Sequence, residues 1–238
     1  MLDLTYRSTE PELMDSPTLN PVKLHAALRD VSKVNRLLGG NHITIHEVFK
    51  RLKVLKNIKP VKIMDFGCGD GEILRKIAKR ARKENIQLEL IGLDINRKCL
   101  EQAKHLSKTF PEIQYQNENF FKLQKEENLD IIMTTLTTHH LNTHEFQQFL
   151  VRATDLVSDS VIINDLHRSK AAYYLFKLFS SCFLKSRVAR HDGLVSIKRG
   201  FKRTELKQIL REQNIHNYHL EWRWAFRYCL CIQNNQAK

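Results

Sequence analysis

The stretch 61–71 constrains the fold of this chain more than any other segment. It begins with apolar and β-branched residues, which is the pattern of a buried strand. Gly67, Gly69 and Gly71 follow at alternate positions and allow a sharp turn in which the backbone lies close to a ligand. A helix beginning near Asp70 would direct its free N–H groups at that ligand. A strand, a glycine-rich turn and a helix form the first unit of a doubly wound α/β fold, which binds ligands beyond the carboxyl ends of its strands.

The spacing of the glycines excludes the dinucleotide-binding pattern. G-x-G-x-x-G would require glycine at position 72, where the chain has Glu72. The sequence instead has D-x-G-x-G-x-G, with Asp65 two residues before the first glycine. A second predicted strand, at 88–94, ends in Asp94. A carboxylate at this strand end accepts hydrogen bonds from the vicinal hydroxyls of a ribose, so these residues predict a ligand that contains one.

The segments after this loop alternate between predicted strands and helices. Buried strands are predicted at 113–116, 129–134 and 160–165. Five β-α units in succession predict a parallel sheet with helices on both faces. Near the C-terminus, apolar residues alternate over 218–222 and again over 226–232, which predicts an antiparallel hairpin at the edge of the sheet. The sequence therefore predicts a Rossmann-like, doubly wound, seven-stranded α/β domain that is mostly parallel.

Two helices are predicted before the sheet. Asn20 and Pro21 have the pattern of an N-cap and a first helical turn. Thr44 and Glu47 are spaced as a capping box and predict the start of the second helix. We expect this pair of helices to cover the ligand site as a lid or to line a substrate pocket.

The length of 238 residues is enough for one α/β domain with additional elements. We expect residues 1–58 to form an N-terminal extension with the lid helices. Residues 59–238 are expected to form the α/β domain, with a helical insertion at about 168–203.

The net charge of +13 has two interpretations. One is a nucleic acid or another anionic partner, and the other is a set of solvated helix faces. The basic run at 75–83 lies on a predicted amphipathic helix, and the chain has no basic motif interleaved with aromatic residues of the RNA-recognition type. We therefore favour solvated surface and expect no nucleic-acid partner.

Membrane, export and metal signals are not found in the sequence. No stretch is as long as a membrane-spanning helix, and the N-terminus does not resemble a signal peptide. The five cysteines form no C-x-x-C pair and no cysteine–histidine group with zinc spacing. We therefore expect a cytoplasmic protein with reduced thiols and without a metal site.

The D-x-G-x-G-x-G pattern resembles motif I of the class I S-adenosylmethionine-dependent methyltransferases. The order of predicted elements over roughly 60–235 is also similar to that family. The resemblance implies that S-adenosylmethionine is the cofactor and that Asp65 binds its methionine amino group. It also implies that Gly67, Cys68 and Gly69 line the cofactor.

The same resemblance assigns positions beyond the next strands. Asp94 would hold the ribose, with Ile95 against the adenine. Asn119 stands where the family often has aspartate and would contact the adenine amine, while Phe120 would pack on the purine. Thr135, at the end of the fourth strand, is assigned to the cofactor site as well.

Three further segments bear on the methyl acceptor. The segment 130–141 ends in a His-His-Leu sequence and resembles the corresponding part of ubiquinone- and menaquinone-biosynthesis-like methyltransferases. The segments 164–176 and 190–193 resemble bacterial methyltransferases of polyketide and other secondary-metabolite pathways. Together they imply a small phenolic, polyketide-like or quinone-like acceptor that is methylated on oxygen.

Methyl transfer to a neutral hydroxyl often needs a general base, because such a hydroxyl is a poor nucleophile. His140 and His167 are the first choices, since each follows a strand predicted to end at the pocket and histidine titrates near neutral pH. Further candidates at these ends are His139, Asp165, His191 and Asp192. Structural roles stay open: an imidazole of the histidine pair would brace the next helix, and Asp165 would cap a helix or pair with Arg168.

The segment 171–184 is apolar on nearly every side and has to be covered. In order of preference, it lines an apolar substrate pocket, meets a partner subunit in a homodimer, or contacts a membrane surface.

Two other functions of the protein stay open. The positive charge suggests a nucleic-acid methyltransferase, although no Asn/Asp-Pro-Pro-Tyr/Phe segment follows the fourth strand. The second alternative function is that of a non-catalytic module that binds S-adenosylmethionine. The intact glycine loop argues against this alternative.

Overall fold

The computed structural model describes residues 2–16, 18–55, 60–123 and 128–234. The predicted boundary between residues 58 and 59 lies outside these ranges. The strands of the sheet are, in chain order, β1 (Val61–Phe66), β2 (Leu88–Leu93), β3 (Ile113–Gln116), β4 (Leu129–Thr135), β5 (Val157–Leu166), β6 (Tyr218–Arg223) and β7 (Arg227–Gln233).

The sheet has seven strands in the order β3-β2-β1-β4-β5-β7-β6. Strands β1 to β5 are parallel, and β7 is antiparallel to both β5 and β6. This confirms the predicted doubly wound sheet and its C-terminal hairpin. The strand order reverses between β1 and β4, and folds of this kind bind ligands at such a switch point.

Helices connect the strands and precede the sheet. Most of them lie where the apolar spacing predicts, and a short 3-10 turn at Thr138–His140 follows β4. The α-helices are α1 (Pro21–Leu37), α2 (Gly40–Val54), α3 (Glu72–Lys83), α4 (Arg97–Leu106), α5 (Thr143–Leu156), α6 (Lys170–Phe183), α7 (Arg187–Arg199) and α8 (Arg203–Glu212).

The sheet separates two hydrophobic cores. Helices α2, α3 and α4 cover one face, where Val48, Ile77 and Leu100 pack together. Helices α5 and α8 cover the other face through residues such as Phe149 and Leu206. Burial of both faces explains why the central strands are apolar throughout rather than alternating.

The N-terminal helices confirm one predicted boundary and correct another. The Oδ1 atom of Asn20 accepts a hydrogen bond from the Val22 N–H at 2.9 Å, so Asn20 is the N-cap of α1. The capping box at Thr44 and Glu47 is wrong, because α2 already begins at Gly40 and both residues are buried within it. Thr44 lies against the sheet instead of capping a helix.

Among the described residues, no helix is both long enough and apolar enough to cross a membrane.

Candidate functional site

The glycine loop follows β1 and leads into α3. Gly67, Gly69 and Gly71 have φ values of +73°, +55° and +75°, which strain any residue with a side chain. At Gly67 the space is also closed, since an added Cβ would lie 2.4 Å from the Thr137 side chain. Beside Gly69 no described atom lies within 4 Å of an added Cβ, so a ligand has room to approach the backbone there.

Asp94 joins the end of β2 to this loop. Its Oδ2 accepts a hydrogen bond from the Gly69 N–H at 2.9 Å, and its Oδ1 accepts one from the Asn96 N–H at 2.8 Å. These two bonds fix the carboxylate beside the glycine turn. Each oxygen keeps a lone pair, so the pair of oxygens is suited to accept from the two hydroxyls of a ribose.

Asp65 is a buried carboxyl at the end of β1. Burial, and then the nearby charge of Asp94, raise its pKa well above the ordinary range. No described residue donates a hydrogen bond that lowers this pKa. A buried carboxylate without a donor is unfavourable, and a ligand's ammonium group would relieve that cost. The site therefore fits the amino group of a methionine moiety.

The residues expected around the adenine have different surroundings. The Ile95 side chain is 77% exposed and can cover a ring in the site. Asn119 is exposed, and its Oδ1 accepts from the Phe121 N–H at 2.9 Å. The expectation that Phe120 packs on the purine is wrong, because its ring is only 1% exposed and packs between Phe66 and Phe149 in the core.

Two further predicted cofactor residues, Thr135 and Cys68, are in contact with other parts of the protein. The hydroxyl of Thr135 hydrogen-bonds that of Thr44 at 2.6 Å, which ties the end of β4 to α2. Asn164 donates to the same Thr44 hydroxyl at 3.0 Å. Cys68 is buried in the loop, and burial raises the pKa of its thiol, so it contributes a neutral surface.

A cavity of about 360 Å³ lies beyond the ends of β4 and β5. Leu136 of its wall follows β4 directly, and the next residue, Thr137, contacts the glycine loop at Gly67. The cavity and the glycine loop are therefore neighbours. Its apolar wall comes mainly from α1, α6, α7 and the turn before β7, through Val34, Leu38, Leu175, Phe176, Phe179 and Phe226.

His139 lies in the cavity wall and is fully enclosed between two carboxylates. Its Nδ1 is 2.7 Å from Asp165 Oδ1, and its Nε2 is 3.4 Å from Glu12 Oε1. Burial by itself would lower the pKa of His139, but the charge and hydrogen bond of Asp165, together with Glu12, raise it to about 9. His139 is therefore an imidazolium at neutral pH and has no free lone pair with which to accept a proton.

His140 is the more accessible of the two histidines. Its side chain is 32% exposed, and its Nδ1 lies 3.3 Å from Asp15 Oδ2. The turn that carries both histidines is held by two arginines. Arg7 donates to the His139 carbonyl oxygen at 3.0 Å, and Arg199 donates to the His140 carbonyl oxygen at 2.8 Å. The backbone of the turn is therefore fixed against the N-terminal segment and α7.

The structure corrects the expected position of His167. Its ring packs on Tyr228 at 4.8 Å between centroids, and it does not line the cavity formed by the described residues. Strand β5 ends at Leu166, whose side chain does line the cavity, so His167 follows on the other side. His167 therefore does not share the cavity with His139 and His140, the other histidines predicted as candidate bases.

The expected pair of Asp165 and Arg168 is also wrong. Arg168 forms its ion pair with Glu205. Asp165 accepts hydrogen bonds from Thr138 Oγ1 at 2.6 Å and from the His139 N–H at 2.8 Å, so it caps the turn after β4. Asp165 thus holds this turn from the end of β5.

The two other acidic and basic candidates are bound to the N-terminal segment. Asp192 is buried, and its carboxylate accepts from the N–H groups of Leu13 and Met14 at 2.8 and 2.9 Å. His191 lies beside Glu10, with 3.3 Å between Nε2 and Oε1. Both residues hold that segment in place rather than facing the cavity.

One group of side chains has the donor types that bind a metal ion. Glu12, His139 and His140 each offer an atom within 4.8 Å of the others. No sequence motif indicates this group, because Glu12 is far from the histidines along the chain. The His139 imidazolium already supplies a positive charge between Glu12 and Asp165.

Comparison with known proteins agrees with this arrangement. Residues 63–160 match a family described as a methyltransferase domain. The ubiquinone biosynthesis O-methyltransferase of Pelagibacter ubique is 23% identical over 175 residues, which cover 71% of this chain and 68% of that protein.

Two solved structures have a similar fold. The plantazolicin methyltransferase bound to S-adenosylhomocysteine gives a TM-score of 0.65 at 13% identity, over 87% of this chain and 90% of that one. The magnesium protoporphyrin IX methyltransferase of Synechocystis, bound to S-adenosylmethionine, gives 0.54 at 12% identity, over 94% and 88% of the two chains.

This chain carries a methyltransferase domain over residues 63–160, and its strand order and glycine loop agree with that match. It is an enzyme that uses S-adenosylmethionine as its cofactor.

Several residues of the cavity carry no sequence signal. Glu12 comes from an irregular N-terminal segment, and Asn35 and Arg227 follow no motif. Only the presence of charged or amide residues in otherwise apolar surroundings distinguishes them, and this becomes visible when the fold brings them together.

Proposed function

We propose that this enzyme methylates an oxygen atom of a small, largely apolar organic acceptor, of the phenolic, polyketide-like or quinone-like class. The observation that carries the proposal is the apolar cavity, which adjoins the glycine loop and has His139 and His140 in its wall. A cavity of about 360 Å³ is large enough for an aromatic molecule of modest size.

The residues around the glycine loop hold the cofactor in this proposal. Asp65 binds the methionine ammonium group, Gly67 and Gly69 keep the backbone close, and Asp94 accepts from the ribose hydroxyls. Ile95 and Asn119 contact the adenine. When bound, S-adenosylmethionine supplies a methyl group that is already activated by its sulfonium, so the protein mainly has to position the acceptor and exclude water.

His140 is the proposed proton acceptor for the hydroxyl of the acceptor. His139 cannot take that role at neutral pH, because Asp165 and Glu12 keep it protonated. His139 instead acts as a positioning residue, which fixes the turn and the Glu12 carboxylate around His140. The N-terminal helix α1 acts as a lid, since its Val31 and Val34 form part of the cavity wall.

A nucleic-acid acceptor is the alternative, and the positive charge favours it. The cavity supports the small acceptor instead, because apolar side chains from α1, α6 and α7 surround it. A phosphate backbone would need several exposed basic side chains at this position, whereas the one arginine in the described wall, Arg227, is buried.

The test measures release of S-adenosylhomocysteine from S-adenosylmethionine with a panel of phenols and with RNA, alongside calorimetric binding of S-adenosylhomocysteine. We expect binding of the product cofactor and turnover of at least one phenol. A folded protein that binds S-adenosylhomocysteine but methylates only RNA, with a steep salt dependence, would overturn the proposed acceptor class.

A further inference from the structure

Arg227 is a buried cation in the wall of the acceptor cavity. It is the first residue of β7, its side chain is 2% exposed, and it lies beside the apolar Leu166 and Phe226 in that wall. A guanidinium removed from water in this way is unfavourable unless acceptors surround it.

The hydrogen bonds of Arg227 are incomplete. Its Nη2 donates to Asn35 Oδ1 at 2.8 Å. Neither Nε nor Nη1 has a hydrogen-bond partner among the described residues, and both atoms are buried. A neutral amide therefore meets one of the five N–H donors that a guanidinium carries.

A second buried arginine of the same chain shows what a structural guanidinium has around it. Arg168 is 1% exposed and forms an ion pair with the carboxylate of Glu205. Its nitrogen atoms also donate to three backbone carbonyl oxygens, those of Leu4, Thr5 and Gly200. The two arginines are equally buried, but only Arg168 has its charge and its donors satisfied by the protein.

Among the described residues, no carboxylate is free to form the missing hydrogen bonds of Arg227. Asp165 is the acid whose charge acts on it, and both oxygens of that carboxylate already bind the 138–140 turn. Burial lowers the pKa of Arg227 to about 10, so the group is still a cation at neutral pH. An anion from outside the protein would balance the charge of the guanidinium and accept hydrogen bonds from its unpaired N–H groups.

The first turn of α2 is shaped around this guanidinium. An added Cβ on Gly40 would lie 2.6 Å from Arg227 Cζ and Nη2, so glycine is needed for the side chain to lie where it does. The N-terminal end of α2 also carries a partial positive charge. The N-terminal end of α2 therefore adds to the positive potential of the guanidinium at this end of the cavity.

The polar groups of the cavity fall into two sets. One contains Glu12 and the two histidines, and the other contains Arg227 with Asn35. Apolar side chains of α1, α6 and α7 form most of the remaining wall. An acceptor with a hydroxyl at one position and an anionic group at another would complement both sets.

We propose that Arg227 binds a carboxylate of the methyl acceptor, so that the acceptor is an apolar hydroxy acid, such as a phenolic acid. This inference rests on the proposed function and makes its acceptor class narrower. Arg227 selects and orients the acceptor, and the proton is taken up at the other polar set. A charge-assisted hydrogen bond inside an apolar cavity is the interaction that provides the selection.

The test compares acids with their uncharged amides in the presence of S-adenosylhomocysteine. The probes are 4-hydroxybenzoate with 4-hydroxybenzamide, and 3-(4-hydroxyphenyl)propionate with its amide, titrated calorimetrically into the wild-type protein. We expect at least one acid to bind roughly 30- to 100-fold more tightly than its amide, which corresponds to one buried charge-assisted bond. This comparison needs no variant, so it does not depend on whether a substitution folds.

Two variants locate the effect. Arg227→Gln should remove the preference for the acid and leave the affinity for S-adenosylhomocysteine unchanged. Lys177→Gln removes one positive charge from an exposed position on α6, and the preference should persist in it. If Arg227→Gln does not fold, Asn35→Leu, which leaves the guanidinium in place, should retain the preference.

The inference is overturned if no acid binds more tightly than its amide, or if the preference persists in folded Arg227→Gln. Methylation of uncharged phenols as fast as acids would overturn it while the proposed function stands. Absence of phenol methylation with intact binding of S-adenosylhomocysteine would instead contradict the proposed function itself.

Discussion

The proposed cofactor half of the site lies at the ends of β1, β2 and β4, whereas the wall of the proposed acceptor cavity contains side chains from Glu12 to Arg227. In the first half, neighbouring residues make the decisive contacts, such as the bond between Gly69 and Asp94. In the second half, the N-terminal segment and two helices after β5 complete the wall. Binding of a shared cofactor depends on a local motif, and recognition of a particular acceptor depends on elements added around the sheet.

If the acceptor half works independently of the cofactor half, substitution of the proposed base should lower turnover without changing the affinity for the cofactor. His140→Ala is expected to reduce turnover of the best phenolic acceptor by roughly 100- to 10,000-fold, as general bases contribute. Release of S-adenosylhomocysteine measures turnover, and calorimetry measures its affinity. His167→Ala is the matched control, and it should have little effect because His167 lies outside the cavity wall.

The acceptor half should also depend on its buried ion pair for stability. Asp165→Asn removes the carboxylate that holds His139 and is expected to lower the free energy of unfolding by about 3 to 5 kcal/mol. Urea denaturation measures this change. Glu84→Gln breaks an exposed pair with Arg80 on α3 and should change stability far less, so equal losses would contradict a special role for Asp165.

The cofactor half is tested by the residue that joins β2 to the glycine loop. Asp94→Ala should weaken S-adenosylhomocysteine binding about 100-fold, since two hydrogen bonds to a charged group are lost. Asp94→Asn retains one acceptor oxygen and should lose less affinity. Circular dichroism establishes that the fold is intact, and an unchanged affinity of Asp94→Ala would show that the ribose lies elsewhere.

The charge arrangement around His139 predicts how stability depends on pH. The folded pKa of about 9 is above the unfolded value near 6.5, so this contribution is complete below pH 6.5 and is lost as the pH rises through 9. Between about pH 7 and 9, the free energy of unfolding should fall by about 1 kcal/mol per pH unit. Thermal melts measure it, and Asp165→Asn should show a weaker dependence.

Acid should weaken the same network from the opposite direction. Burial alone would raise the pKa of Glu12, but His139 and His140 lower it to about 2, and His139 also lowers the pKa of Asp165. The contribution of these carboxylates is complete above their unfolded pKa values and is lost as the pH falls through the folded ones. A free energy of unfolding that stays constant as the pH falls from about 5 to about 2 would contradict this assignment.

The smallest expected effect concerns metal ions. Because the His139 imidazolium supplies the positive charge beside Glu12, turnover with EDTA should stay within about twofold of the untreated enzyme. The measurement is phenol methylation after dialysis against EDTA, with added Mg²⁺ or Zn²⁺ as the comparison. Lost turnover that Zn²⁺ restores would show that Glu12 and the histidines bind a cation.

Local patterns account for what could be predicted from the sequence. The spacing of apolar residues and glycines predicted the sheet, its hairpin and the place of Asp94, because each depends on neighbours along the chain. The same local view failed for Phe120, whose ring the core buries, and for His167, which follows the last cavity residue of β5. It also missed Arg227, because the incomplete set of hydrogen bonds around its guanidinium, counted among the described residues, exists only in the folded cavity.

The most direct test of the separation between the two halves is phenol turnover by Val34→Trp at saturating S-adenosylmethionine. Val34 lies on α1 in the cavity wall, and an indole there would fill the space without contacting the glycine loop. We predict that turnover is lost while the affinity for S-adenosylhomocysteine is retained. Turnover equal to that of the wild type would contradict the assignment of this cavity as the acceptor site.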